Sequence, residues 1–218
     1  KNMKYIFGNW KMYLDYQESD ILSSALATEG FDASKVSLAV FPTALSLAKV
    51  VENLRGTNIK IGSQDHTWRP KGAYTGAVSA LMFKEVGCEY ALIGHSERRQ
   101  VFGETDDEVR QKIEEALNVG LIPVVGIGET KEEKATGKRE YRLKKQLMKA
   151  FANLQLNGGK IIVAYEPVWA IGTGEACHPA EADDVQGWIK LELEQYFNDE
   201  VPVLYGGSVK ADNVVSYL

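Results

Sequence analysis

Residues 161–174 read IIVAYEPVWAIGTG, a buried strand followed by an apolar loop between a proline and two glycines. The run 161–165 is rich in β-branched side chains, which is typical of a parallel strand buried on both faces. Glu166 stands where this strand ends, and Pro167 stops further pairing because it has no backbone N–H. A carboxylate here, followed by the apolar residues 168–171, predicts a general base under a movable lid. A capped strand with a packed loop is the alternative that this stretch leaves open.

Strand and helix patterns alternate along all 218 residues. Apolar runs predict seven strands, at residues 5–9, 36–41, 59–63, 90–94, 121–126, 161–165 and 202–205. Amphipathic runs predict helices at residues 17–27, 43–54, 80–86, 105–118, 132–154 with an interruption near Gly137, 179–197 and 211–217. Regular alternation of this kind indicates a parallel sheet covered by helices.

Residue spacing also predicts details of individual helices. The faces expected to be buried are Ile21, Leu22, Ala25 and Leu26 on the first helix, and Leu45, Ala48, Val51 and Leu54 on the second. Thr105 and Glu108 have the spacing of a capping box, which predicts where the helix that reaches residue 118 begins.

Two folds satisfy this alternation, an open doubly wound sheet and a closed barrel. Asn9, Lys11, His95, Glu166 and Ser208 follow the first, fourth, sixth and seventh predicted strands. An open sheet spreads such strand ends along a line, whereas a barrel gathers them around one mouth, where barrel enzymes keep their sites. These residues therefore predict an α/β fold of the (β/α)8 barrel type, in one domain over residues 1–218.

Composition and charge narrow the class of protein. A hydrophobic content of 44% and a net charge of −5 indicate a soluble globular chain and argue against general nucleic-acid binding. The sequence shows no apolar run of membrane-spanning length and no leader, so we expect a cytoplasmic protein without membrane contact. Cys88 and Cys177 have no metal or redox spacing; a reduced pair is favoured over a disulfide.

The polar residues at the strand ends suggest complementary roles. Glu166 is a candidate base, and His95 is a candidate electrophile or proton shuttle. A short helix at residues 96–99 would place His95 at a positive dipole end, which favours the neutral imidazole. Lys11 could balance an anionic substrate or a developing oxyanion. The alternatives are a structural histidine and a solvated surface lysine.

Several glycines and one hydroxyl have the character of a phosphate site. Backbone N–H groups in glycine turns bind phosphate because no side chain blocks their approach. The residues concerned are Gly172, Gly206, Gly207 and Ser208. A glycine turn alone is weak evidence for such a site.

Four motifs in order along the chain resemble the signatures of triosephosphate isomerase. They are NWK at residues 9–11, IGHSERR at 93–99, YEPVWAIGTG at 165–174 and YGGSV at 205–209. The resemblance implies a (β/α)8 TIM barrel that interconverts dihydroxyacetone phosphate and glyceraldehyde 3-phosphate, in glycolysis and gluconeogenesis. It also implies that the reaction uses no cofactor and no metal.

The resemblance further implies a role for each matching residue. Glu166 would move the proton between two substrate carbons, and His95, as neutral imidazole, would polarise the carbonyl; this pairing is established for the family and is not a prediction from the residues. Lys11 and Asn9 would stabilise the enediolate. Gly172, Ser208, Gly206 and Gly207 would hold the phosphate of a phosphorylated triose. Ser96 and Glu97 would support the catalytic residues.

The polar connection at residues 64–76 is implied to reach into a neighbouring subunit. A connection of this length is usually functional. Gln64 and Thr75 would then be dimer contacts, and the protein would be a homodimer. A free Ω-loop is the alternative.

The chain departs from the family pattern in two places. An eighth strand and helix would be expected after residue 218, so we expect a C-terminally incomplete barrel with about seven βα units. This allows an alternative function, a barrel that binds triose phosphate or a partner with little turnover; a weaker one is a Schiff-base aldolase using Lys11. Gly126 replaces a cysteine, and we expect lost packing near Glu166, costing about 1 kcal/mol or more.

Overall fold

The computed structural model describes residues 3–171 and 176–218, in which strands and helices alternate. The strands in this part of the chain are β1 (Lys4–Asn9), β2 (Val36–Phe41), β3 (Lys60–Ser63), β4 (Tyr90–Ile93), β5 (Ile122–Ile127), β6 (Ile162–Tyr165) and β7 (Val203–Tyr205). The helices are α1 (Tyr16–Leu26), α2 (Ala44–Asn53), α3 (Ala80–Val86), α4 (Ser96–Val101), α5 (Asp106–Asn118), α6 (Lys131–Ala135), α7 (Arg139–Phe151) and α8 (Pro179–Leu193). Short 3₁₀ turns occupy Val168–Ala170 and Val214–Tyr217. Within these described ranges, every helix is too short or too polar to cross a lipid bilayer.

The chain divides into two compact units. The first runs to residue 92 and includes residues 115–123; the second comprises residues 93–114 and the chain from residue 124 onward. In the first unit β1, β2, β3 and β4 pair in parallel, with Gly8 opposite Val40 in the β1–β2 register. In the second unit β5, β6 and β7 pair in parallel, and Val163 lies opposite both Val125 and Val203. Within each unit the strands pair in the order in which they follow one another along the chain.

Strands and helices both supply buried residues to the core. Every residue of β4 and of β6 is buried, as expected for parallel strands covered on both faces. Parallel pairing places the carboxyl ends of neighbouring strands at the same edge, so residues that directly follow β5, β6 and β7 are brought together. The predicted alternation of parallel strands with helices is therefore confirmed.

Local sequence signals place two helix boundaries as predicted. The hydroxyl of Thr105 accepts from Glu108 N at 3.2 Å, and the Glu108 carboxylate accepts from Thr105 N at 2.8 Å. This is the reciprocal pattern of a capping box. Between α6 and α7 the chain passes through Gly137, whose φ of 69° lies in the left-handed region that favours glycine.

The buried faces predicted for the first two helices are wrong except at Leu54, which is 2% exposed. Ile21 is 63% exposed and Leu45 is 89% exposed, whereas α1 buries Ser19 and Ser23. For α1 the reason is a polar contact with α2: Asn53 Nδ2 donates to Ser23 Oγ at 2.9 Å. The buried serines satisfy their hydroxyls on carbonyls of their own helix or its N-cap, so this helix face needs no apolar residues. The buried apolar residues of α2 are Leu47 and Val50.

The helices predicted near the end of the sequence are shorter in the structure. α8 ends at Leu193 rather than near residue 197, and the helix predicted at 211–217 is only the 3₁₀ turn Val214–Tyr217. Asn213 explains the second difference, because its side chain accepts from Lys210 N at 2.7 Å and donates to Ser208 O at 3.3 Å. Asparagine side chains that bond the backbone in this way compete with helix formation.

The corrected face of α2 can be tested by two alanine substitutions on the same helix. Leu47→Ala removes a side chain that is 2% exposed and is expected to lower the free energy of unfolding by about 2–5 kcal/mol. Leu45→Ala, the matched control, is expected to change it by less than about 0.5 kcal/mol. Urea unfolding measures both. A larger loss for Leu45→Ala would reinstate the face predicted from the sequence.

Candidate active site

Glu166 directly follows β6, and backbone groups bind both its main-chain N–H and its side-chain carboxylate. Its N–H donates to Ile127 O at 2.7 Å, which extends the pairing of β6 with β5 by one residue. Its side chain is 3% exposed, and Oε2 accepts from Ser96 N at 2.9 Å. A buried carboxylate needs such a donor, because an unpaired one is costly to remove from water. Ser96 therefore contacts the predicted base directly, through its main chain.

His95 lies in the turn between β4 and α4. Glu97 N donates to His95 Nδ1 at 3.2 Å. A backbone N–H can only donate, so Nδ1 is an acceptor and the neutral ring carries its proton on Nε2. The amide of Glu97, predicted to be a supporting residue, thus sets the tautomer of the histidine.

The two side chains face each other within the second unit. His95 Nε2 lies 3.6 Å from Glu166 Oε2, and the histidine side chain is 12% exposed. The site therefore combines a buried carboxylate, able to take a proton, with an N–H donor next to it. This pair suits abstraction of a proton from a carbon beside a carbonyl whose oxygen receives the N–H.

Arg99, which was not a predicted site residue, links the ends of β4 and β5. Its Nε donates to Gly94 O at 2.7 Å and its Nη2 to Gly126 O at 3.2 Å. Asp106 neutralises the guanidinium, with an Nη1–Oδ1 distance of 2.6 Å. These bonds to main-chain carbonyls fix the backbone beside Glu166. The arginine pair in the IGHSERR motif was the available signal, but nothing in it indicated partners at residue 126.

Glu129, two residues after β5, is a second site residue that was not predicted from the sequence. It is fully buried, and its Oε1 accepts from Tyr165 Oη at 3.1 Å, Trp169 Nε1 at 2.9 Å and Arg139 Nε at 2.9 Å. Glu129 therefore connects β6, the apolar segment after Glu166 and α7. Its position just after a buried strand, like that of Glu166, was the signal that could have identified it.

The ion pair between Glu129 and Arg139 continues into a network of further charged side chains. Arg139 also donates to Glu181, and Lys134 lies 2.7 Å from the same Glu181 carboxylate. Burial acts to raise the pKa of Glu181, but hydrogen bonds from Lys134 and Arg139 outweigh burial and hold that pKa below its ordinary value. Lys134 Nζ also lies 3.6 Å from the ring centre of Trp169, a cation–π contact.

The end of β7 brings the predicted phosphate-binding residues next to β6 and the apolar segment. Gly206 N donates to Tyr165 O at 2.7 Å, and Ser208 Oγ donates to Ala170 O at 2.8 Å. These bonds place the glycine turn beside Glu166, while phosphate binding by Gly206, Gly207 and Ser208 stays a prediction. Gly172 lies outside the described residues.

The main chain at Cys177 is held by two tyrosine side chains. Cys177 N donates to Tyr205 Oη at 3.3 Å, and Cys177 O accepts from Tyr217 Oη at 2.6 Å. The two rings stack with centroids 4.4 Å apart and planes 9° apart. Cys177 and Cys88 are both free thiols, and burial raises the pKa of Cys177 to about 11.

In the first unit, Asn9 and Lys11 form a tight turn after β1. Lys11 N donates to Asn9 Oδ1 at 2.9 Å, and Lys11 O accepts from Gln64 Nε2 at 2.8 Å. Lys11 has a φ of 50°, an uncommon backbone conformation for a residue other than glycine. Strain of this kind is retained where neighbouring groups fix it, and it is frequent at functional sites. Thr75, the other predicted dimer contact, is exposed.

Comparison with known proteins gives consistent matches. The family model described as triosephosphate isomerase matches residues 4–218. The triosephosphate isomerase of Herpetosiphon aurantiacus is 42% identical over 214 residues, which cover 95% of this chain and 85% of that protein. That of Dictyoglomus thermophilum is 38% identical over 222 residues, which cover 99% of this chain and 88% of that protein. That of Nostoc sp. is 40% identical over 211 residues, which cover 96% of this chain and 85% of that protein.

The ion pairs of Glu181 predict how stability depends on pH. Because its pKa is depressed in the folded state, the stabilisation is fully present above its ordinary value of 4.5 and is lost as the pH falls below it. Glu181→Gln should therefore be less stable than the wild type at neutral pH, and the two should converge in acid. Urea unfolding from about pH 3 to about pH 7 measures this. Glu140→Gln, at an exposed position of α7, is the control and should have the same pH dependence as the wild type. If the stability of Glu181→Gln ran parallel to that of the wild type over this pH range, the ion pairs of Glu181 would not be the cause of the pH dependence.

Proposed function

The chain belongs to the triosephosphate isomerase family, and from this we propose that it interconverts dihydroxyacetone phosphate and D-glyceraldehyde 3-phosphate. The predicted fold class, a (β/α)8 TIM barrel, is confirmed by the family match together with the parallel strands in chain order. We further propose that residues 1–218 act as a single domain.

One observation supports the proposed chemistry above all others. Glu166 Oε2 lies 3.6 Å from His95 Nε2, and His95 Nδ1 accepts from Glu97 N. A carboxylate base and an N–H donor so close together can act on adjacent atoms of one small substrate. A proton beside a carbonyl is too weakly acidic for a carboxylate unless the resulting oxyanion is stabilised, so both groups are needed.

The proposed reaction conserves protons and electrons. Glu166 takes a proton from the carbon next to the carbonyl, and the electron pair left behind forms the carbon–carbon double bond of an enediolate. His95 Nε2–H donates to the carbonyl oxygen as negative charge develops there. The neutral ring exchanges a proton between the two oxygens, and Glu166 returns its proton to the neighbouring carbon.

The remaining assignments rest on the motifs that match the family. Asn9 and Lys11 are proposed to stabilise the enediolate, and the fixed turn that they form with Gln64 supports a functional role for this segment. The proposed phosphate-binding residues are Gly172, Gly206, Gly207 and Ser208. Ser96 and Glu97 act through their amides, which hold the carboxylate and the imidazole.

The protein is proposed to form a homodimer through the first unit. Met12 is 93% exposed and Tyr13 is 81% exposed. Large exposed apolar side chains of this kind are typical of surfaces that bind another protein. The connection at residues 64–76 contains no helix or named strand, and its stretch around Thr75 is exposed. Both features favour an isologous contact between two copies.

We place the protein in the cytoplasm, where the enzymes of glycolysis and gluconeogenesis act on soluble phosphorylated trioses. Its two free, buried cysteines suit a reducing compartment. The family match favours the isomerase over the alternative of an incomplete barrel with little turnover.

The assignment of the base is tested by Glu166→Asp. Shortening the side chain withdraws the carboxylate from the substrate carbon, so turnover should fall by about 10²-fold or more while the melting temperature changes little. The assay is formation of glyceraldehyde 3-phosphate from dihydroxyacetone phosphate. Glu200→Asp, at an exposed loop position, is the control and should keep wild-type turnover.

Two results would count against these assignments. Wild-type turnover in Glu166→Asp would mean that another group is the base. Near-background turnover of the wild-type chain with retained phosphate binding would favour the binding alternative over the isomerase.

The proposed homodimer is tested by native mass spectrometry. The wild-type assembly should have the mass of two copies, and Thr75→Arg should shift it towards one copy because a bulky charge enters the contact. Thr136→Arg, at an exposed position next to α6, is the control and should leave the mass unchanged. A wild-type mass of one copy would refute the dimer.

A further inference from the structure

We propose that Arg139 is a positioning residue for Glu166 and acts through Glu129. By neutralising the buried Glu129 carboxylate and fixing its orientation, Arg139 holds the chain on both sides of the base. The inference rests on the proposed function, in which Glu166 is the base. It assigns a role to a side chain that lies outside the four motifs.

Glu129 binds the chain both before and after Glu166. Before it, Tyr165 Oη donates to Glu129 Oε1 at 3.1 Å. After it, Trp169 Nε1 donates to the same oxygen at 2.9 Å, and Val168 N donates to Glu129 O at 3.1 Å. The base therefore lies in a short segment that one residue fixes at both ends. A shift of the Glu129 carboxylate would be transmitted to the position of the base.

The charge of Glu129 makes its orientation depend on a cation. The side chain is fully buried, and an ionised carboxylate is costly to bury unless it is paired. Among the described residues, Arg139 pairs with it, with a distance of 2.9 Å between Arg139 Nε and Glu129 Oε1. Oε2 is buried too and has no partner in the described part of the chain. Bonds to Oε1 alone therefore orient the carboxylate, and the bond from Arg139 is the charge-assisted one that neutralises it.

Arg139 is itself held in place by a second carboxylate. It is the first residue of α7, and its Nη2 donates to Glu181 in α8 while its Nε donates to Glu129. One guanidinium makes both bonds because its donors form a rigid planar fork. The first turns of two helices thus set the orientation of Glu129. A lysine at position 139 would supply the charge without this fork.

A double-variant cycle tests whether Arg139 acts through the charge of Glu129. In Arg139→Met kcat should fall by about 10-fold or more with KM changed by less than about twofold, because the base is misplaced while substrate contacts remain. In a Glu129→Gln background the same substitution should lower kcat by less than about threefold, because a neutral amide needs no cation. Equal losses in the two backgrounds, or an unchanged kcat in Arg139→Met, would overturn the proposal.

Two further variants separate this pairing from a general effect of charge. Lys145→Met removes an equal charge from an exposed position of the same helix and should keep wild-type kcat. A loss as large as that of Arg139→Met would overturn the proposal. Arg139→Lys keeps the charge and should retain more turnover than Arg139→Met. Equal turnover of these two variants at position 139 would also count against it, because the charge would then have no part.

The indole N–H of Trp169 reports the position of the Glu129 carboxylate without any assay of turnover. The chain has four tryptophans, and Trp169→Phe identifies the indole resonance of Trp169 in an NMR spectrum. This N–H donates to Glu129 Oε1 at 2.9 Å. In Arg139→Met it should exchange with solvent at least about 10-fold faster, because its acceptor is no longer held in place. Exchange at the wild-type rate would overturn the proposal, and Lys145→Met should show that rate.

The cycle also decides the matter if one variant does not fold. If Arg139→Met is unfolded and its combination with Glu129→Gln is folded, the uncompensated carboxylate is the cause and the proposal is supported. If both are unfolded, it is overturned, because Arg139 would then be needed for packing alone. If the wild-type chain had no isomerase activity, the proposed function would fall, and exchange at Trp169 would still show whether Arg139 holds Glu129.

Discussion

The N–H of Ser96 donates to the carboxylate of Glu166 over 2.9 Å, and the geometry of the site depends on this one bond. The carboxylate is 3% exposed, and without a donor its burial would be costly. The bond joins two strand ends that are 70 residues apart in sequence. The turn that supplies the amide also carries His95. The residue whose amide holds the base therefore directly follows the proton donor in the chain.

Two charged side chains keep those strand ends in place. Arg99 satisfies the carbonyls of Gly94 and Gly126, and Glu129 collects donors from Tyr165, Trp169 and Arg139. Hydrogen bonds that involve an ionised group are stronger than neutral ones, so each residue provides a firm link between elements. The burial of Tyr165, and next the carboxylate of Glu129, raise the pKa of the tyrosine, which keeps it a hydrogen-bond donor.

The local sequence was sufficient to predict the strands and the place of part of the candidate site. Apolar runs such as the one before Glu166 bury whole strands, so their pattern is visible in sequence, and Glu166 and His95 stand at strand ends where chemistry is expected. The buried face of α1 could not be predicted from hydrophobicity, because it consists of Ser19 and Ser23, and Ser23 accepts from Asn53. On α2, apolar residues lie both on the buried side, as Leu47 and Val50, and on the exposed side, as Leu45, so hydrophobicity alone did not select the face. Arg99 was missed for a related reason. Its partners at Gly94 and Gly126 become neighbours only after β4 and β5 are in place.

The stacked rings of Tyr205 and Tyr217 give the molecule an optical reporter of its own. Parallel rings 4.4 Å apart are close enough for their electronic transitions to couple. Near-ultraviolet circular dichroism detects aromatic side chains only while they are held in fixed packing. The tyrosine band should therefore lose intensity when the turn Val214–Tyr217 separates from Cys177. Undocking of this turn can therefore be followed without a label.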